Sequence, residues 1–294
     1  MGGVLAVLGG SGLYDIEGLE GVEEVRVSTP FGAPSDAIVR GRLAGTDTTL
    51  LFLPRHGRGH RLSPSTINYR ANICALKLLG ATCVMSVSAV GSMREEIAPG
   101  DLVVVDQFID LTKRRASTFF DEGIVAHVAF ADPVCPIMAA AVHEAALTTS
   151  ARVHRGGTYI CMEGPQFSTR AESLVYRSWG AAVIGMTNMP EAKLAREAEL
   201  PFATLALSTD YDCWHATEAA VNVEAVIAVL KQNVTLAKQV ARKLAERLPD
   251  LSASPARGAL RGAIMSDPAL ITEEARTRLD WLVGPYLREQ KAGG

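Results

Sequence analysis

Phe202-Ala203-Thr204-Leu205-Ala206-Leu207-Ser208 is a run of apolar and small residues that starts after Pro201 and ends at Thr209-Asp210-Tyr211-Asp212. Its seven residues are too few for a typical helix and show no strict polar alternation. The run therefore reads as a strand buried on both faces. Such a strand needs a covering layer on each side, which points to an α/β fold. The signature recurs outward from it, at Val4–Leu8, Ala37–Leu43, Thr49–Leu53, Thr82–Ser88, Leu102–Asp106, Thr158–Cys161 and Ala182–Gly185. Each of these runs is rich in Val, Ile or Leu and bounded by Gly, Pro, Asp or Ser. Helical periodicity fills the intervals at Thr66–Leu79, Pro136–Leu147, Thr169–Trp179, Pro190–Ala198, Glu218–Arg247 and Thr272–Arg288. Gly80 and Gly180 stand where C-caps belong. The early strands follow one another without helices, so part of the sheet is expected to be antiparallel.

The chain has 294 residues, 48% of them hydrophobic and 21% charged, enough for a sizeable core and too apolar for disorder. Lys and Arg number 29 against 32 Asp and Glu, a net charge of −3 that gives no electrostatic case for nucleic acid or an anionic membrane. A small-molecule ligand is the expected partner. Five cysteines without a C-x-x-C pair read as buried reduced thiols. No apolar stretch reaches the roughly 20 residues of a membrane span, and Met1–Leu8 is no signal peptide. These features predict a soluble cytoplasmic protein. The Pro-, Ser- and Gly-containing stretch Leu248–Arg261 reads as a connector within one domain, residues 1–294, with the C-terminal helical segment 262–294 packed on it.

Polar clusters follow the strands, where open α/β sheets collect ligands. Gly9-Gly10-Ser11-Gly12 can bring backbone N–H groups close to an anion, but Asp15 breaks a dinucleotide fingerprint and no Walker lysine follows. Arg55-His56-Gly57-Arg58-Gly59-His60-Arg61 offers forked guanidinium donors suited to phosphate. The two histidines lack neighbouring carboxylates or cysteines, so no metal site is read. Ser86–Ser92 is suited to a pocket floor. Glu163–Arg170 carries Phe167, an aromatic that is either core or a base-stacking ring. Gly185–Glu191 places Pro190 at a helix start, and Asp210 and Asp212 put two carboxylates two residues apart. Taken alone, that pair suits a cation, a helix cap or a heterocycle equally well.

In order, GGSGLYD, TPFGAP, RHGRGH, NYRANI, SAVGS, EGPQFSTRAES, GMTNMPEA and STDYDCW resemble the purine nucleoside phosphorylase family, in its methylthioadenosine phosphorylase branch. The resemblance runs from Gly9 to about Lys243. It implies an α/β/α domain around a mixed sheet that curls partly into a barrel. It also implies phosphorolysis of methylthioadenosine to adenine and 5-methylthioribose 1-phosphate, with no metal or organic cofactor and phosphate as co-substrate. By resemblance the phosphate ligands are Ser11, Arg55, His56, Ser88, Ala89 and Thr187, with Arg55 the permanently charged donor. Asp210 and Asp212 are the catalytic, purine-facing pair, one of them holding a proton for the leaving base. Phe167, Met186, Tyr211 and His127 contact substrate, and Ser168, Val223, Val226 and Ile227 set specificity at the sugar's 5′ end. A homotrimer, or a dimer of trimers, is implied, with Phe119–His127 reaching the neighbouring subunit's pocket.

Departures from the family pattern are mild. Ser11 and Ser88 replace a frequent Thr, Gln166 replaces an Arg of some relatives, and Ser252-Ala253-Ser254 stands where some have Cys-x-Cys. Three rival readings remain: a 6-oxopurine nucleoside phosphorylase acting on methylthioinosine or ordinary purine nucleosides, a nicotinamide-dependent dehydrogenase, and a non-catalytic nucleoside-binding protein. Asp210 opposes the first, because relatives of that kind tend to carry Asn there to match a 6-oxo group. Asp15 opposes the second.

Overall fold

The structure is a computed structural model that describes residues 2–10, 13, 16–215 and 223–292. Among these residues eleven strands form one mixed sheet that does not close. Its centre is β5 (Cys83–Ser92), flanked by β1 (Val4–Gly9) and, along its other edge, β11 (Phe202–Asp210), both parallel to it. Beyond β1 lie β4 (Thr49–Pro54), β3 (Ile38–Leu43) and β2 (Leu19–Val25), the last two joining as an antiparallel extension. Beyond β11 lie β6 (Leu102–Val105) and β8 (Val153–Arg155). A second branch leaves β5 through β10 (Ala181–Gly185), β9 (Thr158–Cys161) and β7 (Gln107–Asp110). Only Asp106 separates β6 from β7, and only Gly156-Gly157 separates β8 from β9. The two branches are thus drawn toward each other by covalent bends rather than by a closing ladder.

Alternation along the strands feeds two cores. Leu8, Leu51, Leu53 and Val84 pack with Ile73 and Leu76 of α1 (Tyr69–Leu78), Ala192 and Leu194 of α4 (Asn188–Glu197), and Leu279 and Val283 of α6 (Glu273–Ala292). On the opposite face Leu5, Val7, Phe52 and Met85 pack with Met138 and Val142 of α2 (Pro136–Ala146) and Val240 and Leu244 of α5 (Val223–Glu246). Each large side chain sealed this way contributes about 1.5–3 kcal/mol. A third, small cluster of Met93, Ile160, Ile184 and Tyr176 seats α3 (Arg170–Ser178) over β9 and β10.

Local signals start and stop the helices. Asn68 caps α1, Pro136 opens α2, and Thr169 with Glu172 forms a capping box at α3. Gly80 and Gly180 take left-handed φ values just past α1 and α3, as the C-cap reading expects.

Three strands lie outside the sequence reading: β2, β7 and β8. β2 is an exposed edge with the sequence LEGVEEV, β7 is half-buried throughout, and β8 has three residues. None carries the apolar run that marks a buried strand. β5 also runs four residues past the expected Ser88, because Ala89–Ser92 continue to pair with β11 and then β10.

Candidate active site

The site forms at an interruption in the β5 ladder. β1 pairs with β5 only as far as Ser86, and β10, running antiparallel, first meets it at Gly91. Between them, Val87 to Val90 have no strand partner on that edge among the described residues. Free backbone N–H and C=O groups at such a gap need other partners. Ser88 thus stands in mid-strand, and the carboxyl ends of β1, β4 and β10 converge on it. Ser88 Oγ lies 3.4 Å from Thr187 Oγ1 and 3.0 Å from the Tyr159 hydroxyl, all three side chains being buried. Ala89 is exposed at the same spot.

Arg55, the permanently charged donor expected for phosphate, stands just past β4 and is ion-paired within the chain. Its Nε and Nη2 donate to the two carboxylate oxygens of Glu191 at 2.6 and 2.8 Å, and Nη1 donates to Val87 O at 2.7 Å. Nη2 also reaches Ser86 Oγ at 2.6 Å, and both members of the ion pair are buried. The guanidinium therefore braces the open edge of β5 with its charge already matched. His56 donates from Nδ1 to Leu62 O at 2.9 Å, since a carbonyl can only accept, and its ring stacks 4.1 Å from His60. Burial and the nearby Arg55 charge push His56 down to about 4, so the ring is neutral and Nε2 is an acceptor.

The two carboxylates stand at the far end of the gap. Asp210 accepts from Thr209 Oγ1 at 2.7 Å and from the Asp212 backbone N–H at 2.8 Å. Asp212 accepts from Ser173 Oγ of α3 at 2.5 Å. Burial raises both above the ordinary carboxylate range, and the neighbouring Asp210 charge raises Asp212 further. Gly91 of β5 lies against both: a methyl group there would stand 3.0 Å from Asp210 Oδ1 and 3.3 Å from Asp212 Cβ. Three residues along one strand, about 10 Å, thus separate the Ser88–Thr187 hydroxyls from the carboxylate pair. Anion donors at one end and desolvated carboxyls at the other make a site for a ligand with an anionic and a heterocyclic end.

Residues 4–246 match the model of the Phosphorylase superfamily. The chain belongs to this superfamily. It is 58% identical to S-methyl-5′-thioadenosine phosphorylase of Geobacter sulfurreducens, over 97% of this chain and 99% of that one. It is 52% identical to the enzyme of the same name from Koribacter versatilis, over 98% of each. Among solved structures it resembles a methylthioadenosine phosphorylase from an Antarctic soil metagenomic library, with TM-score 0.89 and 49% identity over 96% of this chain and 99% of that one. A methylthioadenosine phosphorylase from Schistosoma mansoni in complex with adenine matches with TM-score 0.84 and 33% identity, over 90% and 99%.

Other expected site residues of this phosphorylase are placed as follows. Met186 is half-buried against Gly164, where a Cβ would meet its sulfur at 2.5 Å. Phe167 is half exposed on the same turn, and Ser168 Oγ lies 3.6 Å from Met162 Sδ. Tyr211 is directed elsewhere: its hydroxyl donates to Glu95 O at 3.3 Å and its ring stacks on His215. His127 is exposed, and its backbone N–H donates to Ala263 O, so its segment leans on the C-terminal region. Ser11 lies outside the described residues, as do the side chains of Val223, Val226 and Ile227 in the first turns of α5.

The sequence reading assigned no role to the residues that brace this arrangement. Buried Arg115 donates to Met186 O and Met189 O at 2.6 Å each and to Glu163 O at 2.7 Å, tying together the turns after β9 and β10. Glu163 accepts from Ser65 Oγ and from the Lys113 N–H, and despite some opposing desolvation these bonds and Arg115 pull it down to about 2. Arg115 is the last of the three cations in Lys113–Arg115, a run that reads as a solvated one, so nothing local marks it as buried. Among the described residues no group of three or more His, Cys, Asp or Glu is placed to hold a metal ion, and no helix is long and apolar enough to cross a membrane.

Proposed function

We propose that the chain catalyses phosphorolysis of S-methyl-5′-thioadenosine to adenine and 5-methylthioribose 1-phosphate. The observation that carries this reading is the desolvated Asp210–Asp212 pair, three strand residues from the Ser88–Thr187 hydroxyls, in a chain 58% identical to an enzyme of that name. A phosphate oxygen attacks C1′ of the ribose as the C1′–N9 bond breaks, and the electron pair passes to the purine. A proton held by the carboxyl pair goes to N7, so that adenine leaves neutral. Both carboxyls are raised by burial, which favours keeping a proton on the pair.

In this reading phosphate lies against Ser11, Ser88, the Ala89 backbone and Thr187. Neutral His56 accepts from a protonated phosphate oxygen, and Arg55 frames the site from below. Phe167 stacks on the base, Met186 underlies the ribose, and Ser168, Val223, Val226 and Ile227 line the methylthio end. An apolar wall there suits a methylthio group and offers nothing to a free 5′-hydroxyl. The reaction needs no metal and no organic cofactor. Asp210, an acceptor when ionised, suits the 6-amino group of adenine better than a 6-oxo group. The chain works as one domain in a cyclic trimer, or a dimer of trimers, in the cytoplasm.

Parallel assays with methylthioadenosine, adenosine and methylthioinosine, with and without phosphate, test the reading. The expected result is phosphate-dependent adenine release, fastest from methylthioadenosine. Faster turnover of methylthioinosine would move the enzyme to the 6-oxopurine class.

A further inference from the structure

Asp212 stands two residues past the end of β11 with a left-handed φ of +53°, so its backbone alone does not settle where the carboxyl points. One buried side chain does. Ser173 is fully buried on α3, and its Oγ donates to Asp212 Oδ2 at 2.5 Å. The helix that carries it is fixed at both ends. The Thr169–Glu172 capping box pins its first turn, and Tyr176 packs it onto Ile160 and Ile184 of the sheet. A hydroxyl on so rigid a support is a donor of fixed position. Asp210 needs no such help, since Thr209 Oγ1 and the Asp212 N–H already hold its two oxygens.

We propose that Ser173 is a positioning residue for phosphorolysis: it locks the Asp212 carboxyl in the orientation that meets the purine, without touching the purine itself. This rests on the reading of Asp210 and Asp212 as the purine-facing pair. The other titratable groups around Asp212 are Asp210 from β11, Glu172 and Tyr176 from α3, and Cys213 beside it, with Arg170 near that thiol. The Cys213 backbone N–H also bonds the carboxylate, but none of these groups is a side-chain donor to it, so Ser173 is the side-chain contact whose removal loosens the group. Losing a hydrogen bond to the ionised form also makes the carboxyl harder to ionise.

The experiment is a double-mutant cycle of Ser173→Ala and Asp212→Ala, read as kcat and KM for methylthioadenosine across pH. Ser173→Ala is expected to lower kcat/KM about ten- to a hundredfold, mainly in kcat, and to move the basic limb of the profile to higher pH. In the Asp212→Ala background the same change should cost less than about twofold. Ser173→Cys, a weaker donor of similar shape, should fall between. Equal losses in both backgrounds, or an unmoved pH limb, would overturn the proposal while leaving Asp212 in place. A fully active Asp212→Ala enzyme would overturn the purine-facing reading, and the proposal with it.

Discussion

The Arg55 guanidinium is held in a fork by the Glu191 carboxylate, at 2.6 and 2.8 Å, with neither side chain reaching solvent. The pair spans 136 positions of sequence and joins the loop after β4 to the first turn of α4. It also supports the unpaired edge of β5, through Val87 O and Ser86 Oγ. Removing either partner strands a buried charge. Arg55→Ala and Glu191→Ala should therefore each cost about 3–5 kcal/mol of stability. Arg55→Lys should not rescue, because one ammonium cannot serve a carboxylate fork and a carbonyl together. Urea-unfolding midpoints measure this. A loss below about 1 kcal/mol in Glu191→Ala would show the pair to be dispensable.

A second expectation concerns Gly91. Its φ is not left-handed, so an alanine there meets no backbone penalty; the obstacle is space. The added methyl would stand 3.0 Å from Asp210 Oδ1 and 3.2 Å from Ile184 Cγ2. Ile184 is packed and cannot yield, so the carboxyl must shift. Gly91→Ala should reduce kcat/KM for methylthioadenosine by roughly two- to fivefold, since the carboxyl gives by a few tenths of an ångström and a full 1 Å misplacement costs about a hundredfold. The phosphate KM should change little, because Ser88 and Thr187 lie three residues away. Wild-type kcat/KM in the alanine variant would mean the Asp pair is not held by this contact.

The contrast between Asp210 and Glu191 shows what was legible in the sequence. Asp210 ends an apolar run, so its place at a strand end follows from local pattern. Glu191 reads locally as an acid in the first turn of a helix, and only the convergence of β4, β5 and α4 turns it into the partner of Arg55. The same divide separates Ser88, visible as a hydroxyl in a strand, from the break in pairing that opens the edge beside it. That break depends on where β1 ends and β10 begins, which are separated by more than 170 residues of chain. β2 was hidden for a different reason: an edge strand exposed to water can be rich in Glu and lose nothing.

A third expectation concerns pH. Glu197 is buried in α4 and accepts from Thr118 Oγ1 at 2.6 Å and from the Phe119 N–H at 2.7 Å. Desolvation outweighs these bonds and raises it to about 7. The folded protein therefore holds a proton that the unfolded chain has released between about pH 4.5 and 7. Stability should fall as pH rises through that window and stay low above it. Glu197→Gln should flatten the slope while keeping an acceptor for Thr118. Urea midpoints at pH 5.5 and 8.5 test this, and an equal slope in both proteins would remove Glu197 as its source.

Thr118 and Phe119 also begin the segment that ends at His127, where the last expectation arises. Phe119, Phe120 and Ile124 are buried within the chain, whereas Val125 and His127 face outward. The segment is fixed at its far end by the Ala126–Ile264 bridge and by Val125 and His127 backbone bonds to the C-terminal region. Anchored there, its exposed face is a rigid surface that can serve a neighbouring subunit. In a cyclic trimer each such face would meet the next subunit's pocket, since a head-to-tail contact closes under three-fold rotation. Sedimentation should then show three subunits or a multiple of three. His127→Ala and Asp212→Ala subunits, each nearly inactive alone, should regain activity when mixed and reassembled, because some pockets in the hybrids carry neither lesion. A fully active monomer, or proven hybrids without recovery, would leave His127 an ordinary surface residue.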